Sequence, residues 1–184
     1  MAKATNSDFD NFVRRQQPIS EEERIDWNKQ RDEWLTRLDA LYAKIQEFLQ
    51  EYVNDGSIKL SFQEHRIIEE NIGAYASRRM IIHIGRREIT LTPIGTLLIG
   101  SAGRVDVTGS VGRARLVLVD KNATSMRSMV KIKVLMAGEK QEPPREVTNE
   151  VDWTWKIVTA PPAVAFKELN KDSFFQLLME VSNA

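Results

Sequence analysis

Near residue 56 the apolar residues of this chain change period, from the spacing of a helix to the two-residue alternation of strands, and the fold must accommodate both. Upstream of the change, no Gly or Pro interrupts residues 20–53. Ser20 and Glu23 form a capping box, in which each side chain satisfies a backbone N–H of the other, and Glu21, Glu22 and Glu23 suit the positive end of a helix. Asn54-Asp55-Gly56 supplies residues that tolerate the positive φ at which helices stop. One long amphipathic helix is therefore expected over residues 20–55, preceded by a flexible lead-in over residues 1–19 that lacks periodicity.

Trp34, Leu38, Leu41, Ile45, Phe48 and Tyr52 follow the spacing 4, 3, 4, 3, 4, which taken alone describes a coiled coil. Leu35, Tyr42 and Leu49 fill the neighbouring positions where a two-stranded coil puts charge, so the stripe is three positions wide and favours docking on a sheet or bundle. Toward the N-terminus the stripe degrades into Arg31, Trp27 and Arg24. At 1.5 Å per residue such a helix spans about 51 Å, against about 35 Å for a domain built from the rest of the chain. Its free end is expected to overhang and to meet a protein partner or a second copy, with Trp27, Trp34, Leu38, Leu41 and Ile45 as the interface.

Over residues 57–184 short runs of Ile, Val, Leu and Thr are separated by Gly, Asn or Pro at the intervals of an antiparallel sandwich, barrel or meander. About seven or eight strands are expected. Ile58, Leu60 and Phe62 alternate with polar residues, as do Val130, Ile132 and Val134, and Val151, Trp153, Trp155 and Ile157. Met80–Ile84 and Glu88–Thr92 flank a turn at Gly85-Arg86-Arg87, and Thr96–Ile99, Arg104–Val107 and Arg113–Val119 continue the series. At the C-terminus Phe174, Leu177, Leu178 and Val181 return to helical spacing, with Asp172 or Ser173 as cap. The fold class is α+β: a long N-terminal helix, an antiparallel β domain and a short sealing helix. That element order resembles the layout of pleckstrin-homology-like domains, with no motif residue behind the likeness.

Charge is neutral in sum, with 26 basic and 26 acidic residues, but it is unevenly spread. Residues 1–70 hold 10 basic and 15 acidic residues, residues 71–137 hold 11 and 3, and residues 138–184 hold 5 and 8. Either the middle block binds an anion, or the acidic ends compensate it within the molecule and leave a mixed surface; the neutral total favours compensation. Within the block arginine outnumbers lysine, and guanidinium grips phosphate or carboxylate bidentately. Arg86, Arg87, Arg104, Arg113, Arg115, Lys131 and Lys133 are the candidate anion-binding residues, with Arg113 and Arg115 on one strand face by parity. Residues 76–152 contain no Phe, Trp or Tyr, so nucleic acid, if bound, would be held by phosphate contact without base stacking. Gly100-Ser101-Ala102-Gly103-Arg104 and Gly109-Ser110-Val111-Gly112-Arg113 can be read as paired anion nests or as hairpin turns. Turns are favoured, because successive turns of a meander lie at opposite sheet ends, about 13 Å apart.

The chain has no cysteine, which excludes disulfides, thiolate zinc sites, iron–sulfur clusters and cysteine nucleophiles. His65 and His83 are its only histidines, both read as structural, and no metal or cofactor motif is present. No cofactor is expected. No apolar run reaches the roughly 20 residues of a membrane span, and the first 30 residues contain no signal-type apolar core, so no membrane insertion and a cytoplasmic location are expected. The leading expectation is a non-catalytic interaction or scaffold module working through the long helix. Anion or nucleic-acid binding by the basic block is the alternative, and an enzyme without a recognisable local motif the second alternative.

Overall fold

The computed structural model describes residues 26–96, 102–123, 152–159 and 165–182. Helix α1 (Trp27–Asn54) is followed by strands β1 (Ile58–Glu69), β2 (Gly73–Ile84), β3 (Arg87–Gly95), β4 (Gly103–Thr108), β5 (Arg113–Asp120), β6 (Trp153–Val158) and β7 (Phe166–Glu168), and then by helix α2 (Lys171–Ser182). Among the described residues the strands form one open antiparallel meander in sequence order, one of the arrangements that the alternating runs leave open. The first hairpin is longer than its apolar residues indicate: β1 and β2 pair without interruption from Ile58↔Ile84 to Glu69↔Gly73. No helix among the described residues is long and apolar enough to cross a membrane.

The capping box at Ser20 and Glu23 lies outside the described residues; within them Asp26 caps α1, its side chain accepting from the Lys29 amide at 3.0 Å. The strand expected over Val130–Met136, with Lys131 and Lys133, also lies outside, as does most of Thr96–Ile99. At α2 the cap is Asn170 rather than Asp172 or Ser173. Asn170 Oδ1 accepts from the Ser173 amide and Ser173 Oγ from the Asn170 amide, both at 2.9 Å, a reciprocal arrangement one turn earlier than the sequence pattern indicates.

Both helices cover the same face of the sheet. Trp34, Leu38, Leu41, Tyr42, Ile45 and Leu49 of α1 and Phe174, Leu177, Leu178 and Val181 of α2 share one apolar core with Met80, Ile82, Ile89, Leu91, Val105, Val107, Leu116 and Ile157 of the strands. Phe48 and Phe174 bring the helices together at 6.1 Å between ring centroids. Trp34 lies 5.9 Å from Trp155, so the tryptophans of β6 face this core side. The wide stripe is thus satisfied within the chain. Trp34, Leu38, Leu41 and Ile45, expected at a partner interface, are at most 2% exposed; Trp27 alone of that set stays half-buried, in the first turn. The α1 stripe packs on the chain's own sheet, the docking that its three-position width favours.

Trp34 of α1 packs directly on the backbone of β4 at Gly103, where an added Cβ would collide with the indole at Cζ3. Glycine leaves the room that the ring occupies. Gly103→Ala is expected to cost about 1–3 kcal/mol by overpacking, yet to add almost nothing in a Trp34→Ala background, where the obstructing ring is gone. Urea denaturation of the two single variants and the double variant measures this; additive losses would contradict the contact.

Candidate functional site

Two polar constellations lie outside the apolar core, one closed and one open. The closed one begins with Glu69 and Glu70, adjacent carboxylates that strand alternation sends to opposite sides: Glu70 is exposed and Glu69 is 7% exposed. Glu69 accepts from the Tyr75 hydroxyl at 2.5 Å, from the Thr96 amide at 2.8 Å and from the Thr96 hydroxyl at 2.9 Å, and Gln30 of α1 donates to that hydroxyl at 3.0 Å. Gly95 makes room, since at its φ of +138° a Cβ would meet the Glu69 carboxyl carbon at 2.7 Å. The far half of the first hairpin is thereby clasped to the end of β3, and His65 adds a 3.1 Å contact to the Pro93 carbonyl. These residues are 6 to 66 positions apart, and no local pattern in the chain announces the group.

Burial, and after it the hydrogen bond to Glu69 and that carboxylate's charge, hold the Tyr75 hydroxyl well above the usual tyrosine range. Burial likewise raises Tyr42, whose hydroxyl donates to the Arg78 carbonyl at 2.7 Å, although the Arg78 charge opposes the shift.

The open constellation is built from the arginines of the middle block, which the fold sorts into pinned and free. Arg87 leaves the β2–β3 turn to donate to the Ser182 carbonyl at the end of α2, where the helix dipole presents negative charge, and to Ser110 Oγ at 3.3 Å. The turn Gly109–Gly112 serves the same helix end: the amides of Val111 and Gly112 donate to the Val181 carbonyl at 3.1 and 3.2 Å, and Ser110 Oγ donates to the Ser182 carbonyl at 3.2 Å. Its donors are taken, so the second Gly-Ser-x-Gly-Arg segment is a helix-end receiver and not an anion nest. Arg104 is held bidentately by Asp106, at 2.6 and 2.7 Å, and that hydrogen-bonded pairing keeps its guanidinium above its ordinary pKa. Elsewhere Arg78 meets Asp39 at 2.7 Å and Lys121 meets Asp152 at 3.3 Å, so acidic residues of both outer blocks do compensate parts of the basic one.

Arg113 and Arg115 are different. Both are exposed, both project from the face of β5 opposite the helices, and neither makes an ion pair or side-chain hydrogen bond with the described residues. Their position follows from strand lengths: Arg115↔Val158 is the last β5–β6 pair, so Arg113 and Ala114 run past the end of β6. A groove of about 630 Å³ opens at this end of the sheet, lined by Arg113 and Arg115 from the outer face and by Gln176 and Glu180 of α2 from the helix side. Of its apolar lining, Val158 shares the face of Arg115, while Ala114, Ile157 and Leu177 belong to the helix side. Lys167 also lines it, its ammonium donating to Gln176 Oε1 at 2.6 Å, and Gln176 in turn donates to Glu180 at 2.9 Å. Arg104 and Asp106 stand at the rim beside Arg115, which is the cross-strand partner of Asp106.

Of the candidate anion-binding residues, the groove therefore unites Arg104, Arg113 and Arg115. Arg86 is exposed in the β2–β3 turn and does not line it, Arg87 is engaged with α2, and Lys131 and Lys133 lie outside the described residues. A continuous basic face is not formed among the described residues, since Glu88 and Asp106 interrupt it. Gln176, Glu180 and Lys167 were not singled out by sequence, because a polar helix residue opposite a strand end carries no local signature. Compared with models of known families, with curated proteins and with solved structures, the chain matches none.

The two raised tyrosines have a consequence at alkaline pH. An unfolded tyrosine ionises near pH 10, whereas Tyr42 and Tyr75 stay protonated in the folded chain. The stability they supply is complete below about pH 10 and is lost as pH rises above it. Urea denaturation between pH 8 and about 11.5 should show that decline, and Tyr42→Phe with Tyr75→Phe should flatten it; an unchanged slope in the double variant would contradict the assignment.

Proposed function

We propose that this chain is a non-catalytic binding module whose ligand-contact surface is the groove at the open end of β5, and that the ligand presents an anionic group to Arg113 and Arg115. One observation carries the reading: in a block where the neighbouring Arg87 and Arg104 are each matched to an acceptor, these two guanidinium groups sit two residues apart on one strand face, in a groove, without one among the described residues. Two residues on a strand are about 6.6 Å apart, close enough for both forks to converge on a single phosphate or carboxylate. Two cations unpaired among the described residues suit one anionic group better than the long phosphate track of a nucleic acid, which calls for many cations in a row. The recruiting role first expected for α1 finds less support, since its stripe is covered by the sheet.

The experiment is retention of the full chain on an immobilised phosphate matrix at low salt, with elution by rising salt. The wild type should be retained and should elute late. Arg113→Ala with Arg115→Ala should elute with or near the void, while Arg86→Ala with Lys59→Ala, which removes an equal exposed charge outside the groove, should elute within a small shift of the wild type. Equal loss from that control pair would mean that net charge, not the groove, does the binding.

A further inference from the structure

The charges around the groove say more about the ligand than its sign. On the face that carries Arg113 and Arg115 the other charges of the lining are Arg104 and Asp106, so three cations stand with one carboxylate, an excess of two positive charges. The excess is not spread evenly. Arg104 is tied to Asp106 by two short hydrogen bonds, and the unmatched charge among the described residues is therefore concentrated on Arg113 and Arg115. On the same face Val158, the cross-strand partner of Arg115, is only partly buried and offers an apolar surface beside them. A bare inorganic ion would leave that surface wet, and a singly charged ligand would leave one guanidinium unmatched.

We infer that the ligand is a small phosphate monoester, with a doubly charged head held between Arg113 and Arg115 and a compact apolar body resting on Val158. The inference rests on the anion-binding reading above and adds the charge and shape of the ligand. Asp106 is the residue that sets the charge requirement. It occupies Arg104 and stands opposite Arg115 in the strand register, so it withholds a third guanidinium and keeps the groove at an excess of two rather than three. An anion too weakly charged to compete with this carboxylate gains only part of the available attraction.

Isothermal titration of the full chain at pH 7.5 and low salt tests this with phenyl phosphate, phenyl sulfate and inorganic phosphate. The two phenyl esters share a shape but differ in charge, since a phosphate monoester is largely a dianion above its second ionisation near pH 6. Phenyl phosphate is expected to bind at least about tenfold more tightly than phenyl sulfate, because the second charge meets the second guanidinium, and measurably more tightly than inorganic phosphate. Asp106→Asn, which releases Arg104, should tighten phenyl sulfate severalfold and narrow the gap between the esters. Equal binding of the two esters to the wild type would overturn the doubly charged head, and inorganic phosphate matching phenyl phosphate would overturn the apolar body, in both cases with the anion-binding reading intact. Absence of binding by all three would overturn both. Pelleting of the chain with phosphatidic-acid vesicles, reversed by phenyl phosphate, would overturn the assignment to a small soluble ester and place the same head group on a lipid.

Discussion

The contact between the apolar stripe of α1 and one face of the meander is the interaction on which the remaining structure depends. An open sheet of seven strands in sequence order presents an apolar face that nothing in the sheet itself can cover. Six side chains of α1, from Trp34 to Leu49, are buried there. At roughly 1.5–3 kcal/mol for each large apolar side chain removed from water, the stripe contributes an amount on the order of the whole net stability of a domain, about 5–15 kcal/mol. A helix committed to that extent is part of the core. The Phe48 and Phe174 contact then extends the cover to α2, and the two helices together seal the inner face.

Fixing α2 in this way also creates the groove. The last turn of α2 is received by the Gly109–Gly112 turn and by Arg87, which places Glu180 beside the residue that follows Gly112. That residue is Arg113, on a strand that outruns its neighbour β6. The lining of the groove therefore combines a strand end and a helix end, joined by the bonds that terminate the helix. The same positive block supplies both the residue that ties the helix down and the residues left free beside it. Arg87 is structural and Arg113 available because of where each falls relative to the carbonyls of Val181 and Ser182, not because of any difference in side chain.

Much of the fold was legible because it is written in local periods. The width of the α1 stripe, the alternation of Ile58, Leu60 and Phe62, and the spacing of Phe174, Leu177 and Val181 each follow from which face must be buried, and the structure buries those faces. The far half of the first hairpin was not legible, because Gln63 to Ala74 carries polar residues at most positions and its pairing is set by the partner strand. The Glu69 group escaped for another reason: Tyr75, Thr96 and Gln30 reach it from three elements, and a buried carboxylate is recognised by its donors rather than by its neighbours in sequence. At the groove, parity correctly put Arg113 and Arg115 on one face. Which of the other arginines would be neutralised depended on the Arg104–Asp106 geometry and on the end of α2, neither of which composition contains.

The division of the arginines into pinned and free is the claim from which the functional reading follows, and their Nε–Hε resonances report it one residue at a time. In spectra of the full chain titrated with inorganic phosphate, the Arg113 and Arg115 signals should move together and saturate, while those of Arg87, engaged with α2, and Arg104, held by Asp106, remain near their starting positions. Equal movement of all four, or movement of Arg87 and Arg104 ahead of Arg113 and Arg115, would contradict the account.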